Sequence, residues 1–98
     1  MKALITGASS GIGKDIAKKL SYKGYDLILV ARRKERLIKL QKELKTNIKI
    51  IVLDLSVEKN VYQLYETLKK EKIDILINNA GFGLFGMFNK TSLDKEIE

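Results

Sequence analysis

Two kinds of hydrophobic pattern alternate along this chain. Ala3-Leu4-Ile5, Leu27-Ile28-Leu29-Val30, Ile48 to Leu53 and Ile73 to Ile77 are short runs with little or no polar alternation, the mark of strands buried on both faces. Between them apolar residues recur every three or four positions. Residues 11–23 predict a helix with Ile12, Ile16 and Leu20 on one inward face, Ala17 beside them, and Lys14, Lys18, Lys19 and Lys23 outward. Gly24 predicts its C-terminal cap. Residues 33–45 predict a second helix with Leu37, Leu40 and Leu44 inward. A third, with Ser56 as N-cap and Glu58 in its first turn, turns Val61, Leu64, Tyr65 and Leu68 inward.

The predicted order is β-α-β-α-β-α-β. Unalternated strands joined by helices imply a parallel sheet covered on both faces. Right-handed crossovers then give a three-layer α/β/α arrangement of the Rossmann type, four strands in the order 3-2-1-4, the first part of a doubly wound fold. Nothing reads as a linker or a repeat, so residues 1–98 are expected to form one dinucleotide-binding domain. Residues 82–98 carry a Gly- and Phe-rich loop, and Thr91 with Asp94 predicts a capping box opening a fourth helix.

Composition narrows the chemistry. Ninety-eight residues suffice for one domain, burying about 65% of its unfolded surface. A content of 45% hydrophobic and 32% charged residues fits a globular protein and argues against disorder. With no Cys and no His, this chain offers no disulfide, thiolate nucleophile, imidazole base, or Cys- or His-bound metal; no metal site is expected. No apolar segment approaches the ~20 residues of a membrane span, and Thr6-Gly7 interrupts the N-terminal run before a signal-peptide core could form. A cytoplasmic protein with no membrane partner is the expectation.

The formal charge of +7 taken alone suggests an anionic partner. Sixteen of the nineteen cations are lysines scattered among acids, which reads as solvated surface. No nucleic-acid motif accompanies them, and the aromatics do not interleave with a basic stripe, so nucleic acid is not an expected partner. The three arginines are local: Arg32, Arg33 and Arg36.

The first candidate site is Thr6-Gly7-Ala8-Ser9-Ser10-Gly11-Ile12-Gly13, between the first strand and the first helix. Three glycines let the backbone turn tightly and approach a ligand, and the helix start presents free N–H groups suited to a pyrophosphate. Ser9 and Ser10 add hydroxyl donors. The alternative is a Gly-rich turn with no ligand; the strand before and helix after favour the phosphate site.

This string resembles the glycine motif of the short-chain dehydrogenase/reductase family, Thr-Gly-x-x-x-Gly-x-Gly. Thr6, Gly7, Gly11 and Gly13 match it, and Ile12 is typical. Asn78-Asn79-Ala80-Gly81 after the fourth strand matches a second family motif, and Asp54-Leu55 after the third strand a third. The resemblance implies that Gly7, Gly11 and Gly13 line the cofactor's phosphates and that Asp54 accepts from the adenine amino group. It implies that Asn79 braces the central strands and Gly81 admits the cofactor, with Ala80 between them. The alternatives are a helix-start Asp beside Ser56, and turn chemistry at the end of a strand for Asn78 and Asn79.

Cofactor choice is read at the end of the second strand. An acid there holds the ribose 2′-OH of NAD, whereas an Arg accommodates the 2′-phosphate of NADP. Arg32 and Arg33 stand there with no acid before Glu35, which predicts NADP over NAD. The alternative is a set of solvated first-turn arginines, which the helix dipole disfavours.

The family's catalytic Ser and Tyr-x-x-x-Lys pair follow the Asn-Asn-Ala-Gly motif, and no catalytic residue is assigned within these residues. Tyr65 and Lys69 have the right spacing but precede Asn78, and Tyr65 lies on an inward helix stripe. The expectation is the cofactor-binding N-terminal part of an oxidoreductase, inactive alone. The alternative is a non-catalytic dinucleotide-binding or interaction module. An apolar fourth strand at the sheet edge (Ile73–Ile77) and an apolar tail (Phe82, Leu84, Phe85, Met87, Phe88) predict a homo-oligomer through one or the other.

Overall fold

The structure is a computed structural model that describes residues 1–79. Its elements are β1 (Lys2–Thr6), α1 (Gly11–Tyr22), β2 (Asp26–Ala31), α2 (Lys34–Glu43), β3 (Ile48–Val52), α3 (Glu58–Leu68) and β4 (Ile75–Asn78). The four strands form one parallel sheet in the order β3-β2-β1-β4. This is the α/β arrangement that the unalternated strands predict.

Successive residues of β1 and β2 feed two separate cores, because strand side chains alternate between faces. Leu4, Ile28 and Val30 meet Val61, Leu64 and Leu68 of α3, together with Leu55 and Ile73. Ala3, Ile5, Leu27, Leu29 and Ala31 meet Ala17 of α1 and Leu37 and Leu40 of α2. The sheet is thus sandwiched between an α1/α2 layer and α3. Two contacts pin the start of β1 to the approach of β4. The Lys2 backbone N–H donates to Asp74 Oδ2 (2.8 Å), and Lys2 Nζ pairs with Glu71 Oε1 (2.6 Å).

Several boundaries and faces differ from the sequence reading. Ile12 is 69% exposed, whereas Ile16 and Leu20, half-buried, pack against the core of the α1/α2 layer as the periodicity predicts. The fully buried residues of α1 are small: Gly13, Ala17 and Ser21. This stripe lets the helix approach closely, and Ser21 is satisfied by a hydrogen bond to Thr46 Oγ1 (2.8 Å). Leu44 is half-buried just past α2. Ser56 does not cap α3. Val57 occupies that position without a side-chain cap, because Ser56 gives both its N–H and its hydroxyl to Asp54. Ile73 is buried but precedes β4, which runs on to Asn78. Gly24 follows α1 with φ +96°, as the cap prediction requires.

No helix among the described residues is long and apolar enough to cross a membrane. Ala80, Gly81, the Phe-rich tail and the Thr91–Asp94 capping box lie outside the described residues.

Candidate functional site

The carboxyl ends of the parallel strands converge on one side of the sheet, where open α/β sheets place their ligands. Gly7 makes the first turn there. Its φ of +65° is left-handed, a conformation that glycine adopts without penalty. The turn is anchored by the Ala8 N–H donating to the Val30 carbonyl (3.2 Å) and by two bonds from Ser10 to the Gly7 carbonyl, from its N–H (3.1 Å) and its hydroxyl (2.9 Å). The same Ser10 oxygen accepts the N–H of Gly13 (3.1 Å), making Ser10 the N-cap of α1. Its hydroxyl proton therefore serves the turn itself. No acidic residue stands in the first turn of α1, so nothing opposes an anion at that helix start.

Gly13 is bare for a reason that spans the chain. A Cβ at this position would lie 2.4 Å from the Gly7 carbonyl oxygen, 3.0 Å from Ala8 Cα and 3.0 Å from Asn79 Nδ2. The glycine turn, the start of α1 and the end of β4 meet at that point. Gly11 is the opposite case, with nothing within 4 Å of the corresponding position. Behind the turn, buried Thr6 donates its hydroxyl to Asn78 Oδ1 (2.7 Å), and the Asn79 N–H reaches the Thr6 carbonyl (3.2 Å). The two asparagines thus lock β4 to β1.

A cleft of roughly 480 Å³ opens from this turn across the ends of β2 and β3. Gly7, Ser9 and Ser10 form one wall; Arg32, Arg33 and Arg36 another; Asp54, Leu55 and Ser56 the third. Seven of the residues expected to contact a cofactor thus gather here: Gly7, Ser9, Ser10, Arg32, Arg33, Asp54 and Leu55. Leu55 belongs as much to the core, in contact with the α3 layer. Gly11, Ile12, Gly13 and Asn79 are not part of the cleft wall. Arg36 and Ser56 are, although sequence reasoning did not place them there. The signal for Arg36 was its spacing, three positions beyond Arg33 at the start of a helix.

Asp54 is held in a tight turn. Its Oδ1 accepts the Ser56 N–H (2.9 Å) and the Ser56 hydroxyl (2.6 Å), while its backbone carbonyl accepts from Asn60 Nδ2 (2.9 Å). Those hydrogen bonds, the hydroxyl first, hold its carboxyl below the usual carboxylate range, and the positive charge of Arg32 adds to the effect. Oδ2 has no hydrogen-bond partner among the described residues, which leaves it able to accept from a ligand. None of the three arginines enters an ion pair among the described residues. The cleft therefore combines one ionised acid with three uncompensated guanidiniums.

Tyr65 packs against the core beside Leu64 and Leu68, and Lys69 turns to Glu66 (2.8 Å).

Comparison with known proteins agrees with this geometry. A family model described as short chain dehydrogenase matches residues 1–98. An uncharacterised oxidoreductase of Staphylococcus epidermidis is 40% identical over 84 residues, covering 84% of this chain and 36% of that protein. Among solved structures, the bulky-bulky ketone specific alcohol dehydrogenase of Comamonas testosteroni superposes with a TM-score of 0.72 at 42% identity, covering 84% of this chain and 36% of that one. A short-chain dehydrogenase of Sphingobium yanoikuyae in complex with NADPH superposes with a TM-score of 0.72 at 40% identity, covering 83% of this chain and 34% of that one. The chain spans about a third of the length of the curated relatives it matches.

Proposed function

Because the chain belongs to the short-chain dehydrogenase family, we propose that it is the NADP(H)-binding part of an oxidoreductase acting on carbonyl or alcohol groups. The observation that carries the NADP preference is the arginine wall: Arg32, Arg33 and Arg36 line the cleft where β2 ends, and Glu35, the acid between them in sequence, is not part of that wall. The relative from Sphingobium yanoikuyae, solved with NADPH, supports the same reading.

In this reading the residues divide the cofactor between them. Gly7 and Ser9, with the free N–H groups of Gly11 and Ile12 at the start of α1, receive the pyrophosphate. Arg32 and Arg33 receive the 2′-phosphate, and Asp54 with Leu55 holds the adenine, Oδ2 accepting from its amino group. Asn79 holds β4 against the turn, and the family resemblance assigns Gly81, with Ala80 before it, to admitting the cofactor. The bare positions fit such a ligand, since a methyl on Gly13 would push the turn off the helix and so distort the phosphate cradle. When bound, the nicotinamide exchanges a hydride with the carbon of a carbonyl or alcohol. No group within residues 1–98 is assigned to move the accompanying proton, so the 98-residue chain binds cofactor without turning over substrate.

Dissociation constants for NADPH and NADH, measured by cofactor fluorescence, test the reading. One charge-assisted hydrogen bond is worth about 1.5–3 kcal/mol, so NADPH is expected to bind about ten- to a hundredfold more tightly. Equal or tighter binding of NADH overturns the preference. Clear protein-dependent oxidation of NADPH by generic ketones overturns the assignment of no proton-transfer group. The outermost place of β4 in the described sheet supports pairing with a second copy of the chain along Ile75–Asn78. Light scattering at micromolar concentration checks this, and a monomer counts against it.

A further inference from the structure

We propose that the C-terminal half of α1 is a docking site for an acidic segment of a partner protein, one that carries an apolar side chain among its acids. The inference does not rest on the cofactor reading.

The first observation is a hollow remote from the cleft. A cavity of roughly 460 Å³ lies along the end of α1, lined by Ile16, Leu20, Tyr22, Lys18, Lys19 and Lys23. It stands at the far end of the helix from the glycine turn, since Leu20 lies about 13 Å along the axis from Gly11. Ile16 and Leu20 are half-buried, so part of each is open to an apolar side chain from outside. Tyr22 is 93% exposed, and its hydroxyl has no hydrogen-bond partner among the described residues. A tyrosine combines a large apolar ring with a polar tip, which makes it a recurrent anchor where two proteins meet.

The second observation is charge. Lys18, Lys19 and Lys23 are exposed, and none enters an ion pair among the described residues. Asp15, the one acid of α1, does not line the cavity. A helix C-terminus draws lysines toward its own unbonded carbonyls. Here backbone N–H groups already satisfy those carbonyls. The Lys23 N–H reaches the carbonyls of Lys19 and Leu20 (both 3.1 Å), the Gly24 N–H that of Ser21 (2.9 Å) and the Tyr25 N–H that of Leu20 (3.0 Å). The three ammonium groups are therefore left to rim the hollow.

Sign and floor together select the occupant. Cations around an apolar floor complement acids around an apolar anchor. A second copy of this chain fits poorly. α1 with Lys23 carries four lysines against one acid, so two copies meeting through α1 would oppose like charges. In α3 one of the two acids, Glu66, is already paired with Lys69.

The test uses the full chain and a fluorescein-labelled helical peptide of glutamates with leucine at every fourth position, read by anisotropy. A peptide of the same charge with glutamine in place of leucine is the control. The leucine peptide is expected to bind saturably, and the control about fivefold or more weakly. Lys18→Gln, Lys19→Gln and Lys23→Gln combined are expected to weaken the leucine peptide about fivefold or more. Tyr22→Ala is expected to do the same. Lys59→Gln, Lys70→Gln and Lys72→Gln combined remove equal charge from α3 and the segment after it, and are expected to change binding less than about twofold. NADPH affinity is expected to stay within about twofold in the α1 variants. All the substituted side chains are exposed, so each variant is expected to melt near the wild-type temperature. Absence of saturable binding overturns the inference. So do equal binding of the two peptides, an equal loss in the two lysine triples, and a matching loss of NADPH affinity in the α1 variants. Tighter binding of duplex DNA, or of phosphatidylglycerol vesicles, abolished by the same α1 substitutions, overturns the assignment to a protein partner.

Discussion

Gly13→Ala places one methyl group where the fold has no room. Its Cβ would stand 2.4 Å from the Gly7 carbonyl oxygen, about 1 Å inside ordinary van der Waals separation. The obstacles at Gly7 and Ala8 are backbone, so no rotamer change relieves the clash. The start of α1 must move away from the glycine turn and carry Asn79 with it. Overpacking of this kind costs typically 1–3 kcal/mol, and immovable neighbours put this site near the top of that range. Alanine returns up to about 1 kcal/mol in helix propensity, leaving a net loss of about 2 kcal/mol. Gly11→Ala is the internal control. It shares the helix and the propensity gain, meets nothing within 4 Å, and does not need a left-handed backbone. It is expected to stabilise the chain by about 0.5–1 kcal/mol. Urea denaturation followed by far-ultraviolet circular dichroism resolves the difference, since a slope near ~1 kcal/mol per molar turns 2 kcal/mol into a midpoint shift of about 2 M. A Gly13→Ala midpoint at or above the wild-type value would refute the steric argument. In the proposed reading the Gly11 N–H receives the pyrophosphate, so a methyl beside it is expected to leave this variant more stable and yet binding NADPH less well.

Ser10→Ala removes the N-cap of α1 and a bond to the Gly7 carbonyl, and is expected to cost about 1–2 kcal/mol in the same denaturation assay. Leu64→Ala opens a cavity at a fully buried site under the sheet, with an expected loss of about 2–5 kcal/mol, enough to unfold much of the population at 25 °C. Ser56→Ala deletes the hydroxyl that chiefly depresses Asp54, so its carboxyl is expected to titrate at higher pH, which carbon-detected magnetic resonance reads directly. The sign for stability follows from linkage. A depressed carboxyl stabilises the fold above its unfolded pKa and loses that contribution as pH falls through the folded one. The wild type should therefore keep this contribution to lower pH than the variant.

The sheet was legible in the sequence because its strands are apolar on both faces, a pattern that only a covered parallel sheet requires. Helix faces were less legible. In α1 periodicity rightly turned Ile16 and Leu20 toward the core but also Ile12, and it passed over the small buried residues Gly13 and Ser21, since it weighs hydrophobicity and not closeness of approach. Ser56 was misread because two local hydrogen-bonding options compete at such residues, and proximity to Asp54 decided between them. At the site, the glycines and asparagines were visible as motifs, but their meeting at Gly13 depends on the packing of β4 against α1. Arg36 was visible only as a member of an arginine cluster, because nothing in the sequence tells which side of a helix start faces a cleft.

The clasp between Lys2 and residues 71–74 also bears on the order in which the fold assembles. β1 pairs with two neighbours of very different sequence distance: Lys2 lies opposite Asp26 of β2, and Ala3 opposite Ile75 of β4. Closing the threefold longer loop costs about 1 kcal/mol more in chain entropy. The β1–β2 pair can therefore form from local chain, while the first-made strand waits with one edge open for the last. The hydrogen bond to Asp74 and the ion pair with Glu71 stand at the point where β4 begins to pair, and so favour the correct register as it docks. Backbone amides of β4 should accordingly exchange with solvent sooner than those of β2, and the late seam of the sheet is the same seam that carries Asn78 and Asn79 to the glycine turn. The glycine turn is fully braced only when the last strand has docked.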